Sequence, residues 1–315
     1  MSELGETSGG TPLSRRTLLG AGASLGIGAL LASCAEESNS EVRSLAPPID
    51  ARAAGLPYRQ DDLRWGSDLM WDRNLVLRAA TELDGVPKAD AAALIREYDD
   101  GNNISNEGCQ LTCIAMVMRL FDPQANPAWT PATLNDAAHK GFEYTLSGLS
   151  LTTLYPDIAA DMTEGHIQLI AKEEYPAAVK PWPLVTVSDS PLVRAYLSLS
   201  PRERSGVLVM LKTGTYDDTV ASHYVLLDPD SRESATVADA LILDPAMPLD
   251  AQGPWRLSDS AELITGDPEI QNGWNQDHIT PTQIGGAWAF ARWDAKAGRP
   301  FANSFVQAWA SELAR

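Results

Sequence analysis

Between Gly108 and Phe121 the chain reads GCQLTCIAMVMRLF, a run broken only by Gln110, Thr112 and Arg119. A helix with so little polar face has to be wrapped on most sides, so this segment sets the core around which the rest must close. Phe121-Asp122-Pro123 ends it. The lead-in, Asp99-Asp100-Gly101-Asn102-Asn103, is a loop by composition. Ser105 or Asn106 can cap the helix, which places Cys109 in its first turn and Cys113 one turn deeper.

The segments on either side say what does the wrapping. Helical spacing covers Asp68 to Leu83, and a second helix covers Lys88 to Tyr98. Thr130-Pro131 opens another that runs to about His139. Gly148 to Met162 reads as helical around the interruption at Pro156. Asp189-Ser190-Pro191 caps a helix to about Leu199. The period then changes to an extended one, with strands expected at Gly206 to Lys212, Ser222 to Asp228, Ala235 to Asp244 and Ala287 to Trp293. The short polar turn Pro229 to Ser234 makes the middle two a hairpin. Asn303 caps a last amphipathic helix to about Ala314. Helices first and an antiparallel sheet afterwards make an α+β plan, with the buried helix packed on the sheet.

The N-terminus carries a different signal. Ser14-Arg15-Arg16-Thr17-Leu18-Leu19 is a twin-arginine export pattern, and an apolar stretch rich in Gly and Ala follows to Ser33. That stretch is shorter than the roughly 20 residues of a membrane span. Leu31-Ala32-Ser33-Cys34 has the form of a bacterial lipobox, whose cysteine is lipidated and becomes the new N-terminus. Residues 1–33 are therefore expected to be a signal peptide. Residues 34–60, which lack periodicity and contain Pro47-Pro48, are expected to be a flexible spacer, and residues 61–315 the folded domain. The chain is expected to be exported by the twin-arginine machinery and tethered outside the cytoplasm through Cys34.

A net charge of −18 argues against nucleic acid as a partner. With Cys34 lipidated, two cysteines remain, too few for a disulfide framework. The four histidines show no metal-ligand spacing with cysteine or carboxylate, so neither structural metal nor cofactor is expected.

The chemistry gathers around Cys109. A thiol attacks as thiolate, and both a helix N-terminus and a neighbouring imidazolium favour that form. Cys109 has the helix N-terminus. Of the histidines, His139 lies late on a surface-like helix, and His166 and His278 lie in polar, loop-like surroundings. His223 alone opens an apolar strand, a rigid platform for a general base. Asp244 ends the paired strand, in Leu241-Ile242-Leu243-Asp244-Pro245, where a hairpin brings it beside His223 to orient the ring.

Gly108-Cys109-x-x-Thr112-x-x-Ala115-Met116-Val117 resembles the nucleophile motif of the bacteriocin-processing (double-glycine) peptidase-like family, papain-like cysteine peptidases of family C-thirty-nine. Thr130-Pro131-x-x-Leu134 resembles that family's next helix, and Ser147-Gly148-Leu149 its following turn. Ser222-His223-Tyr224-Val225 resembles the catalytic-histidine strand, and Leu243-Asp244-Pro245 the acidic member of the triad. The resemblance spans about residues 100 to 250. It implies a papain-like fold, with Cys109, His223 and Asp244 as catalytic triad. It also implies an oxyanion-hole amide six positions before the cysteine, where this chain has Asn103 in place of glutamine. Gln110-Leu111 replaces the small pair that usually follows the nucleophile.

The expectation is a membrane-tethered cysteine peptidase acting on a peptide or protein substrate. Two alternatives stand beside it: a papain-like binding lipoprotein without activity, and a transglutaminase-like acyl transferase that shares the order Cys, His, Asp.

Overall fold

A computed structural model of the chain describes residues 54–70, 81, 85, 87–90, 103–141, 158–174, 185–204, 206–213, 223–229, 240–246, 255–256, 283–294, 298–300 and 302–315. All belong to the unit Glu41–Arg315. Among them, α1 (Ile104–Glu107), α2 (Cys109–Phe121), α3 (Pro131–Gly141) and α4 (Ile158–Met162) precede β1 (Ile167–Glu174) and β2 (Val185–Thr186). Next come α5 (Pro191–Leu197), α6 (Pro201–Arg204), β3 (Val207–Thr213), β4 (His223–Leu227), β5 (Leu241–Leu243) and β6 (Trp255–Arg256). The long β7 (Gln283–Asp294), β8 (Arg299–Pro300) and α7 (Asn303–Leu313) complete the series. The strands form one antiparallel sheet in the order β1-β7-β3-β4-β5-β6, with β2 and β8 also paired to β7. The protein is an α+β fold.

Alternation along the strands separates two faces. Leu208, Met210, Tyr224, Leu226, Trp288 and Phe290 join one core with Leu111, Ile114, Met118 and the rest of α2. Val209, Leu211, Val225, Leu227, Ala287 and Ala289 are as buried but stand outside that core, on the face where α5 lies, with α7 packed against α5. The end of β1 shows the division in one dipeptide. Glu173 caps α5, accepting from Ser190 Oγ at 2.7 Å and Leu192 N–H at 2.7 Å. Glu174, on the other face, accepts from Trp288 Nε1 at 3.3 Å. The apolar helix thus has the sheet along one flank, and α3 and residues 54–70 along others. At its C-terminal end the Arg292 guanidinium donates to the Phe121 carbonyl, a cation where the helix dipole favours one.

Several elements differ from the expectation. The helix expected from Asp68 does not begin there: Leu69 pairs with Asn103, and the Asp68 carbonyl accepts from Ile104 N–H. Lys88–Asp90 is helical. Thr81 is also helical, and the remainder of both expected helices beyond Met70 lies outside the described residues, as do Gly148 to Asp157 and the turn at Ser234. Of the strand expected at Ala235 to Asp244, residues 240–244 are described, and Leu241–Leu243 form the strand, paired to β4 as a hairpin requires. Strand β1 was not anticipated. A register shift between Leu169 and Ala171 breaks its alternation, so IQLIAKEE lacks a clean period of two. Asn303 is the first residue of α7 rather than its cap; Ala302 holds the cap position. Residues 54–60, expected in the flexible spacer, are packed instead: Ala54, Leu56 and Tyr58 lie against the α2 core, and Tyr58 Oη donates to the Trp129 carbonyl at 2.9 Å. They are apolar at alternate positions over too short a stretch to show a period.

Candidate active site

The site begins with the break between α1 and α2. Gly108 is buried, and a side chain there would collide with the carbonyl oxygen and Cγ2 of Ile104. The glycine lets one helical turn run directly into the next helix. The expected cap at Ser105 or Asn106 is not what forms: both lie within α1, and Gly108 holds the α2 N-cap position without a side-chain cap bond. The result is that Cys109 is the first residue of α2, half-buried, while Cys113 is fully buried one turn on. Burial pushes the Cys113 thiol well above the ordinary value, and the neighbouring Cys109 and Asp244 add to that rise.

His223 is the first residue of β4 and Asp244 the first after β5, so pairing of the two strands brings them to one end of the sheet. His223 Nε2 lies 2.6 Å from Asp244 Oδ1, with the histidine 3% exposed and the aspartate 0%. The same carboxylate oxygen accepts from Ala246 N–H at 2.8 Å. His223 is also hydrogen-bonded to the Cys109 side chain. With Nε2 turned to Asp244, Nδ1 is the ring nitrogen left for the sulfur. Cys109, His223 and Asp244 therefore form one connected line, in the order read from the sequence. Burial by itself lowers the proton affinity of His223, but the charge and hydrogen bond of Asp244, with Cys109, outweigh it and push the pKa up to about 10.

The other expected residues fall into place separately. Asn103 is half-buried, its backbone paired with Leu69 at the foot of α1. Cys34 lies outside the described residues, as does His278. His139 serves packing: its Nε2 lies 2.7 Å from the Met70 carbonyl and ties α3 to the N-terminal segment. His166 caps a turn through its backbone, and its carbonyl accepts from Trp293 N–H. Among the described residues no group of His, Cys, Asp or Glu has the arrangement to hold a metal ion.

Compared with protein-family models, curated proteins and solved structures, the chain gives no match. The site has to be read from its own geometry.

Sequence reasoning passed over a row of side chains beside the cysteine. Glu174, Gly286, Lys212 and Tyr224 are consecutive cross-strand partners on β1, β7, β3 and β4. Trp288 lies over Gly286, where a Cβ would press into its ring, and its centroid is 5.7 Å from that of Tyr224. Lys212 Nζ sits 5.7 Å from the Tyr224 ring centroid. Cys109 packs against the core that contains Tyr224, the residue after His223, and this puts the row on the cysteine's side of the sheet. The signal available was a lysine closing GVLVMLK, an otherwise apolar strand, directly opposite the residue after His223.

Proposed function

We propose that the protein is a papain-like cysteine peptidase, exported and lipid-anchored, that cleaves a peptide or related amide bond through Cys109, His223 and Asp244. The observation that carries this reading is the hydrogen-bonded line from a helix-start cysteine through a strand-start histidine to a buried carboxylate. A helix and a hairpin more than a hundred residues apart in sequence converge to make it, and packing alone does not require a buried imidazole between a thiol and a carboxylate.

In the proposed reaction His223 holds the proton removed from Cys109, and the sulfur attacks the substrate carbonyl carbon. The oxyanion of the tetrahedral intermediate is met by the Cys109 backbone N–H at the α2 start and by the Asn103 side-chain amide. His223 gives its proton to the departing amine, leaving a thioester on Cys109. Water then attacks the thioester, with His223 taking its proton and returning it to the sulfur as the acid product leaves. Asp244 keeps Nε2 engaged throughout, which holds Nδ1 toward the sulfur and stabilises the imidazolium. The tether is assigned to lipidated Cys34, after export through the Arg15-Arg16 signal. Among the described residues, no helix is long and apolar enough to cross a membrane.

The test is site-resolved alkylation with iodoacetamide at neutral pH, alongside hydrolysis of a mixed peptide library. Cys109 should be modified and the library cleaved, and Cys109→Ala should lose both. His223→Ala should lose cleavage and slow alkylation. Cleavage that survives Cys109→Ala removes the peptidase reading. Alkylation without cleavage favours the binding lipoprotein, and incorporation of an added amine in place of water favours the acyl transferase.

A further inference from the structure

We propose that Lys212 is a positioning residue for the nucleophile: its ammonium, held on the face of Tyr224, the residue next to His223, is a second cation for the thiolate, with Glu174 as its opposing charge. This rests on the peptidase reading and adds a residue to it.

The register fixes the arrangement. Lys212 pairs with Tyr224 on one side and with Gly286 on the other, and Gly286 pairs with Glu174. Directly opposed residues share a face of a sheet, so Glu174, Lys212 and Tyr224 project together toward the side on which α2 lies. Gly286, between them, has no side chain, and the Trp288 ring fills its place with Nε1 donating to Glu174. Lys212 is thus flanked by an aromatic surface, and its Nζ lies over the Tyr224 ring. Tyr224 follows His223 directly, so the lysine on β3 and the imidazole on β4 stand at the same end of the sheet.

Among the described residues, the charges around this pair come from several neighbouring elements. His223 and the phenol of Tyr224 are on β4, Asp244 follows β5, Cys113 is on α2, and Glu174 with Lys172 is on β1, where Lys172 Nζ lies 3.6 Å from Glu174 Oε2. Burial lowers the proton affinity of Lys212, and Cys109 and Glu174 oppose that change. The net change is downward, and Cys109 and Glu174 are the groups that favour the ammonium form. A cation held here favours negative charge on the sulfur, and Glu174 weakens that influence.

The test is the pH dependence of the Cys109 alkylation rate in the full chain, measured with iodoacetamide for wild type, Lys212→Met, Lys212→Arg and Glu174→Gln. Lys212→Met should shift the acidic limb to higher pH, lowering the rate on that limb about tenfold, the effect of roughly one pH unit. Lys212→Arg should restore most of the wild-type profile. Glu174→Gln should shift the limb the other way, a direction that loosened packing does not produce. A Lys212→Met profile that superposes on wild type, or a Glu174→Gln shift of the same sign, overturns this inference while leaving the triad in place. If wild-type Cys109 shows no enhanced reactivity and His223→Ala changes nothing, the peptidase reading and this inference fall together.

Discussion

His223 is where the proton balance of the site is set. A buried imidazole ordinarily loses its proton easily, yet the buried Asp244 carboxylate and Cys109 hold the proton on His223 up to about pH 10. Because the folded value is raised above the ordinary 6.5, His223 contributes stability that is fully present below about pH 6.5 and lost as pH rises through about 10. In the proposed reaction the same proton goes to the leaving amine, so hydrolysis should fall on the alkaline side as His223 loses it. Asp244→Asn removes the charge and should bring that alkaline limb down by at least about one pH unit, read from kcat/KM against pH. An unmoved limb assigns it to another group. The two cysteines differ by one helical turn and should behave oppositely. Cys109→Ala should abolish alkylation and hydrolysis and leave the Tm nearly unchanged, since the thiol is half-buried at a helix start. Cys113→Ala should keep both activities and cost about 1 kcal/mol in urea unfolding, the scale of losing a small buried group.

At the scale of elements, legibility followed the length and regularity of the pattern. The buried helix announced itself because eleven of the thirteen residues of α2 are buried and the run is almost unbroken. Strands β3, β4 and β7 were visible as apolar runs, and Ser190 was visible as the α5 cap, its Oγ accepting from Val193 N–H at 3.1 Å. His223 and Asp244 were legible because each ends an apolar strand with a polar residue of useful chemistry. Lys212 was not, because a lysine closing a strand reads as an ordinary solvated end until cross-strand register shows what stands opposite. Nor was the true start of α2, because the sequence offers hydroxyl and amide caps at Ser105 and Asn106, while the steric need at Gly108 depends on where Ile104 lies. That need gives a prediction. Gly108→Ala places a methyl group against the Ile104 carbonyl, and the α1–α2 junction has to open to admit it. The backbone that aims Cys109 moves with the junction. Hydrolysis should drop by about 100-fold, the scale of an ångström-sized misplacement. Alkylation should lose its dependence on His223. Retention of full activity would mean that the junction does not position the sulfur.

Across the whole molecule, the proposed triad joins Cys109 to a hairpin more than a hundred residues further on, and something has to hold the first segment to the last. The N-terminal stretch does this. Gln60 N–H donates to the Pro245 carbonyl at 3.0 Å, one residue past Asp244, and Gln60 Nε2 donates to the Ser105 carbonyl at 2.6 Å, four residues before Cys109. Tyr58, 8% exposed, packs edge-on against Trp65 with centroids 5.5 Å apart and anchors the strap in the α2 core. The proposed spacer from Cys34 therefore stops short of residue 54, where this packed strap begins. Replacing Arg15-Arg16 by Lys-Lys should leave precursor in the cytoplasm, and Cys34→Ala should abolish lipid labelling, but neither should change the strap. Substitutions within it should. Tyr58→Ala removes a buried aromatic ring and should cost about 3 kcal/mol in urea unfolding. Gln60→Ala removes one side-chain hydrogen bond and should cost about 1 kcal/mol. Arg64→Ala is the control: the arginine pairs with Asp62 at 2.7 Å but its side chain is 70% exposed, so its loss should stay within about 0.5 kcal/mol. Because Gln60 bridges the two halves of the triad, its removal should also weaken the coupling between Asp244 and Cys109. That appears as a smaller alkaline shift when Asp244→Asn is made in the Gln60→Ala background than in wild type. Equal shifts in the two backgrounds would make the strap a stabilising element that plays no part in aligning the site.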